Sequence, residues 1–358
     1  MNLLYSADEE SLRDSLRALL RSRSWSPDDG FDPDVWRLLT AELGVTGLII
    51  PEKLGGAGAT LREAALVMEE LGRFLAPVPY LGCAVMATVA LRVTGDTQIL
   101  TRIADGSACA ALAVPFAGPL PPVSVVDGAL TGRVQSVADA MVADTLLVPA
   151  SDGGLWEVAA DGPGVVRVPV VSLDVTRPLV DLTFDGAPGR PIGPADRAVA
   201  AAFTAGSALL ASEQLGVAEW CLDTTVDYAK TRLQFGRPIG SFQAVKHRLA
   251  DVWVSVTQSR AVARYAAGAV SGPDDDLGGT EQRLAAALAQ SHCGPAAVRA
   301  AEECVQLHGG IGFTWEHPAH LYLKRAKTTS IALGTAPAHR HALATLLTLD
   351  AAALTEPS

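Results

Sequence analysis

Between Glu9 and about Ala104 apolar residues recur at helical spacing. Leu12, Leu16, Leu19 and Leu20 follow a cap-like start at Ser6 to Glu9 and predict an amphipathic helix. Pro33 and Trp36 open a second helix that ends at Leu43-Gly44. Pro51 and Gly55-Gly56-Ala57-Gly58 mark a loop. Thr60 caps a third helix through Gly72, and Glu63 completes a capping box. Gly82 to Val93, rich in Ala and Val, reads as a buried helix.

From about Cys109 to Gly193 the pattern changes to short apolar runs between turn residues. Ala110 to Val114, Thr145 to Val148, Val165 to Val171 and Leu179 to Phe184 predict strands. Asp127-Gly128 predicts a hairpin turn, and Pro119, Pro121 and Pro122 exclude a central strand between them. Helices then return: Asp196 to Lys230, Phe242 to Val270, Thr280 to His308 with a kink expected at Pro295, and Pro337 to Ala353. The result is an α+β, mainly α, chain without a fixed-period repeat, divided into an N-terminal helical domain (1–107), a middle β-domain (108–193) and a C-terminal helical bundle (194–358).

Hydrophobic residues make up 49% of the 358 and charged residues 19%, so the chain can bury a large core. The net charge of -11 and the lack of a Lys/Arg run exclude a nucleic-acid binder. No apolar run is long enough to span a bilayer, and the acidic start MNLLYSADEE carries no export signal. Five scattered cysteines (Cys83, Cys109, Cys221, Cys293, Cys304) fit reduced thiols in a cytoplasm.

Two segments carry candidate chemistry. Arg232 to Gly240 lies between two long helices, where Gly236, Pro238 and Gly240 make a rigid corner that exposes Arg232 to an anionic group. The plainer alternative is a surface helix end with Arg paired to the dipole. Gln306 to Phe313 closes another helix. A plain C-cap needs one glycine, whereas Gly309, Gly310 and Gly312 let backbone amides approach a ligand. The pairs His317/His320 and His339/His341 lack a completing carboxylate or Cys, so no metal site is expected. Gly55 to Gly58 has neither dinucleotide-binding nor P-loop spacing, and no GxSxG or Cys-His nucleophile pattern occurs.

Taken together these segments resemble the acyl-CoA dehydrogenase family over nearly the whole chain. The N-terminal part of the likeness lies in Glu42-Leu43-Gly44-Val45, Ile50-Pro51-Glu52, Glu69-Glu70-Leu71-Gly72-Arg73 and Pro77-Val78-Pro79, and the Arg232 and Gln306 segments match two of the family's most specific signatures. Gly310 to His317 is similar to a branch from actinobacteria and other high-GC bacteria. The resemblance implies a helical N-terminal domain, a middle β-barrel-like domain and a C-terminal four-helix bundle. It also implies FAD, a tetramer, and α,β-desaturation of an acyl-CoA thioester, with a Glu removing the α-proton and flavin N5 accepting hydride.

The chain departs from that pattern where the chemistry is done. The family's base lies 27 residues after the Gln of Gln-x-x-Gly-Gly, which lands here on Leu333, with Arg340 seven residues on securing the register. The other known position, about 26 residues before the Arg of Arg-x-x-Phe-Gly, lands near Gly206, and no carboxylate lies between Ala200 and Ala211. The family's Thr-Glu-Pro-x-x-Gly-Ser-Asp loop reads Val114 to Pro121, and its aromatic-Ile-Thr strand reads Ser136-Val137-Ala138. No catalytic residue is therefore expected.

What survives is the half that, in the family, reaches the neighbouring subunit's FAD: Arg232, Phe235, Gln306, Gly309 and Gly310. The resemblance thus implies a base-less subunit of a hetero-oligomer, α2β2 in form. A homologous catalytic subunit supplies base, ring pocket and acyl-CoA site, and this chain clamps the partner's FAD. By analogy the substrate is a steroid side-chain CoA ester. Two alternatives stand beside it: a self-sufficient homo-oligomer with a displaced base, Glu213 or Glu316, and a flavin-free binding protein on this fold.

Overall fold

The computed structural model describes residues 3–23, 30–272 and 278–347. Helix starts follow their caps. Ser6 and Glu9 exchange the two bonds of a capping box to begin α1 (Ala7–Arg21). Asp32 caps α2 (Pro33–Ala41), and Thr60 with Glu63 forms the expected box before α3 (Leu61–Phe74). The buried helix predicted from Gly82 starts earlier. Tyr80–Ala87 is a π-helical segment, every residue buried, that leads into α4 (Thr88–Thr94) and then α5 (Thr97–Ala104).

Eight strands follow: β1 (Ala110–Leu112), β2 (Val123–Val126), β3 (Ala129–Ala138), β4 (Thr145–Pro149), β5 (Gly154–Ala159), β6 (Val165–Val170), β7 (Leu179–Pro188) and β8 (Arg190–Pro194). They form two four-stranded sheets, ordered β1-β4-β5-β8 and β2-β3-β7-β6. Asp127 and Gly128 both have positive φ and join β2 to β3 as the expected two-residue hairpin. Periodicity missed β5 and β8, which are short and bounded by Gly and Pro. The sheets face each other across Leu146, Val158, Val134, Leu182 and Phe184, so the barrel-like middle segment is a sandwich with open edges.

The chain then enters α6 (Ala195–Thr231), a two-rung hairpin of β9 (Leu233–Gln234) and β10 (Arg237–Pro238), α7 (Gln243–Ala269) and α8 (Thr280–His308). Pro295 lies inside α8 without ending it. The short, polar α9 (Ala319–Thr329) was not legible from periodicity, and α10 (Ala336–Leu346) occupies the part of the predicted last helix that lies within the described residues. One core runs through the N-terminal helices, the bundle and the inner face of the first sheet. Backbone contact between α3 and α6 tightens it: a Cβ on Gly216 would meet the Glu69 carbonyl at 1.9 Å, and one on Gly72 the Glu213 carbonyl at 2.2 Å.

Among the described residues, no helix is long and apolar enough to cross a membrane, and no cluster of three His, Cys, Asp or Glu is gathered for a metal. All five cysteines are buried free thiols.

Candidate functional site

Leu333 lies in the turn between α9 and α10, with φ +53° and 8% exposure. Its amide donates to the Phe116 carbonyl at 2.8 Å, and the Phe116 amide donates to the Ser136 carbonyl at 2.9 Å. Ser136 is itself a bulge residue in β3 (φ +53°) whose amide donates to Asp181 at 2.8 Å. The three segments that depart from the family pattern are therefore hydrogen-bonded in series.

Gly206 completes the group. A Cβ there would meet Met86 Cγ at 3.0 Å and Leu333 Cδ1 at 3.1 Å, so the two alternative base positions touch one another across α6. Gly82, Met86, Phe116, Ala138 and Leu333 line what space remains, a cavity of about 20 Å³. That holds roughly one water molecule, whereas a cofactor site needs about 300 Å³ or more. A flavin ring bound in this chain's own pocket does not fit these residues. Beside it, Gly334 leaves just enough room for the His339 ring, whose Nε2 would stand 2.8 Å from a Cβ there. The Thr335 hydroxyl is taken up in capping α10.

The displaced-base reading meets its answer behind this plug. Glu213 is buried and accepts from Arg177 Nη1 at 3.1 Å, Arg177 Nη2 at 2.5 Å and Arg325 Nη1 at 3.2 Å. Arg325 Nε also pairs with Asp174 at 2.9 Å. Burial disfavours the Glu213 charge, but the two guanidinium groups override it and hold its carboxyl below the ordinary range. An acid so paired is a poor proton acceptor, so Glu213 is structural. Burial pushes the neighbouring Asp139 carboxyl up, and it accepts from the Gly82 amide at 2.9 Å on the cavity wall. Glu316, the other candidate, is exposed on the loop before α9.

The two retained motifs lie on the surface at one end of the bundle. Arg232 is the exposed C-cap of α6, and its amide donates to the Tyr228 carbonyl at 2.8 Å. It makes no ion pair with a described residue, which leaves its guanidinium free for an external anion. Phe235 and Gly236, both at positive φ, turn the hairpin between β9 and β10. Phe235 is 89% exposed and meets Phe242 edge-on at 6.2 Å, while the Arg237 guanidinium lies 4.0 Å over that ring. So exposed a phenylalanine in a left-handed turn buries little beyond this edge-on contact with Phe242. On α8, Gln306 is exposed, and Gly309 takes φ +64°, ψ -141°, a conformation open in practice only to glycine. Nothing lies within 4 Å of a Cβ built on Gly309 or Gly310.

Motif reasoning missed the residues that join these segments. The Tyr228 and His308 rings stack at 4.3 Å, and the His317 ring lies 4.2 Å from that of His308, tilted by 35°. The signal was present: Tyr228 lies one helical turn before Arg232, and His308 sits inside the Gln306 motif.

Residues 6–103 match the family described as acyl-CoA dehydrogenase, N-terminal domain, and residues 197–347 its C-terminal domain. The chain is 44% identical over 301 residues to acyl-CoA dehydrogenase IpdE2 of Mycobacterium tuberculosis, covering 84% of this chain and 82% of that one. It is 37% identical over 341 residues to IpdE2 of Mycolicibacterium smegmatis, covering 92% and 95%. Among solved structures, a chain of the ChsE4-ChsE5 complex of Mycobacterium tuberculosis aligns over 100% of this chain and 100% of that one, with TM-score 0.87 and 30% identity. A variant of the Tcur3481-Tcur3483 steroid ACAD aligns over 96% of this chain and 99% of that one, with TM-score 0.85 and 30% identity. Fold order, surviving motifs and these likenesses agree, and the chain belongs to the acyl-CoA dehydrogenase family.

Proposed function

We propose that this chain is the non-catalytic subunit of a heteromeric FAD-dependent acyl-CoA dehydrogenase, assembled as α2β2, and that it clamps the catalytic partner's FAD in trans. One observation carries the reading: a pocket filled to about 20 Å³ coexists with a fully presented outer motif set. Arg232 offers paired N–H donors to a phosphate. Phe235 extends an apolar ring, Gln306 offers its amide, and the backbone at Gly309 and Gly310 is open to close approach. When bound in the partner, FAD supplies hydride acceptance for α,β-desaturation of the acyl-CoA thioester. Two similar solved proteins carry paired names, ChsE4-ChsE5 and Tcur3481-Tcur3483, and the second is described as a steroid ACAD. These names support a hetero-oligomer and a steroid side-chain CoA ester as substrate. Buried free thiols suit a reducing compartment, the cytoplasm.

The test is flavin per chain with native mass, for the chain alone and for the chain co-expressed with a Glu-bearing member of the family from the same genome. No flavin alone and one FAD per pair of unlike chains is the expected result. In that complex Arg232→Ala should weaken FAD retention by about tenfold or more, the loss of a charged hydrogen bond, while the assembly persists. One FAD per chain in a homo-oligomer would overturn the proposal. Unchanged retention in Arg232→Ala would leave only the flavin-free binding role.

A further inference from the structure

We propose that Tyr228 and His308 are the positioning pair that sets the spacing of Arg232 against Gly309 and Gly310 on the partner's FAD; this rests on the trans clamp proposed above. The clamp residues cannot set their own spacing. Arg232, Gln306, Gly309 and Gly310 are exposed, and they stand at the ends of separate helices, α6 and α8. A phosphate held at one end and a backbone amide at the other demand a fixed separation, and small misplacement of binding groups is expensive.

The stack supplies that constraint at the last turn of both helices. The Tyr228 and His308 rings lie 4.3 Å apart with planes 26° from parallel. The Tyr228 carbonyl accepts the Arg232 amide at 2.8 Å, so the ring and the Arg232 backbone share one helical turn. His308 is buried, and its Nδ1 bonds the Cys304 carbonyl at 2.7 Å, which fixes the ring about its axis. The next residue is Gly309. The His317 ring lies 4.2 Å from that of His308, and its Nδ1 accepts the Ala319 amide at 3.2 Å. The turn from Gly309 to Glu316 is thereby flanked at both ends by rings in contact with one another. Movement of Tyr228 would shift Arg232 and the glycine turn relative to one another without altering either motif.

The experiment measures FAD dissociation from the co-expressed complex, by flavin fluorescence on dilution, together with native mass and Tm. Tyr228→Ala should weaken FAD retention roughly three- to tenfold, the range for loss of one aromatic pair, and Tyr228→Phe should restore it because the ring is sufficient. In an Arg232→Ala background the Tyr228→Ala change should add little, since there is no longer a second contact to align. Should Tyr228→Ala fail to fold, Tyr228→Leu keeps the bulk and removes the ring, with the same expectation. Weaker FAD retention in Arg232→Ala with unchanged retention in Tyr228→Ala would overturn the positioning role and leave the clamp standing. Full additivity of the two changes would do the same, because a merely structural residue loosens the complex equally in both backgrounds. No effect of Arg232→Ala itself would remove the clamp and this inference together.

Discussion

The Leu333 amide donates to the Phe116 carbonyl at 2.8 Å, joining the turn that carries the family's base to the loop that lines its flavin ring. In this chain both ends of that bond are apolar, and they close on the same residual cavity. Leu333, Met86 and Phe116 take up this space together, and burying their apolar surface stabilises the closed packing.

Restoring a carboxyl at 333 therefore does not restore chemistry. Leu333→Glu places an acid among Met86, Phe116 and Leu112 with room for about one water. We expect no turnover by this chain alone, with FAD added, in an acyl-CoA dye-reduction assay. The Tm should fall by several degrees, since an unpaired buried carboxyl costs about 1–3 kcal/mol even when it stays protonated. Turnover above background from this single change would show that the pocket opens in solution.

Glu213 is expected to behave as a structural anion. Glu213→Gln leaves Arg177 and Arg325 facing a neutral amide and should lower unfolding stability by about 3–5 kcal/mol in urea titration. The sign of its pH dependence follows from a carboxyl held low in the folded state. Its contribution is complete above the unfolded pKa, and it is lost as pH falls through the folded one. Glu213→Gln should flatten that acid limb; a variant as stable as the parent would show the cluster to be neutral in balance.

Glu69 predicts the opposite slope. Burial, reinforced by the nearby Glu219 charge, pushes its carboxyl up from 4.5 to about 7. The folded state then binds a proton that the unfolded state has released, so stability declines as pH rises between about 4.5 and 7. Glu69→Gln keeps an acceptor for the Tyr5 hydroxyl, which donates to Glu69 at 2.7 Å, and should remove this decline in a Tm-versus-pH series. An unchanged slope would assign the proton elsewhere.

Phe235 offers a trade between stability and binding. It stands at φ +54° and is almost wholly exposed. Phe235→Gly should raise the Tm of the isolated chain slightly, because relief of left-handed strain outweighs the added freedom of the unfolded chain, with a gain of up to about 1 kcal/mol. The same change should weaken FAD retention in the complex. Stabilisation without any loss of retention would remove Phe235 from the clamp.

The sequence alone carried the helix, sheet, helix order, the caps at Ser6 and Thr60, the Asp127-Gly128 turn, and the family. Each is a local property. A cap, a two-residue turn or a motif at fixed spacing is written in consecutive residues, and a leucine in place of a glutamate cannot accept a proton in any fold. Residue types could not reveal that Leu333 and Gly206 touch, or that Phe116 bridges Ser136 to Leu333 until one water's room remains. Nor could they show that Glu213 is consumed by two arginines, or that the Tyr228 and His308 rings stack where α6 and α8 end. Those facts depend on how closely distant helices approach. Between α3 and α6 that approach is set where backbones meet at Gly72 and Gly216, within close packing summed over the whole core.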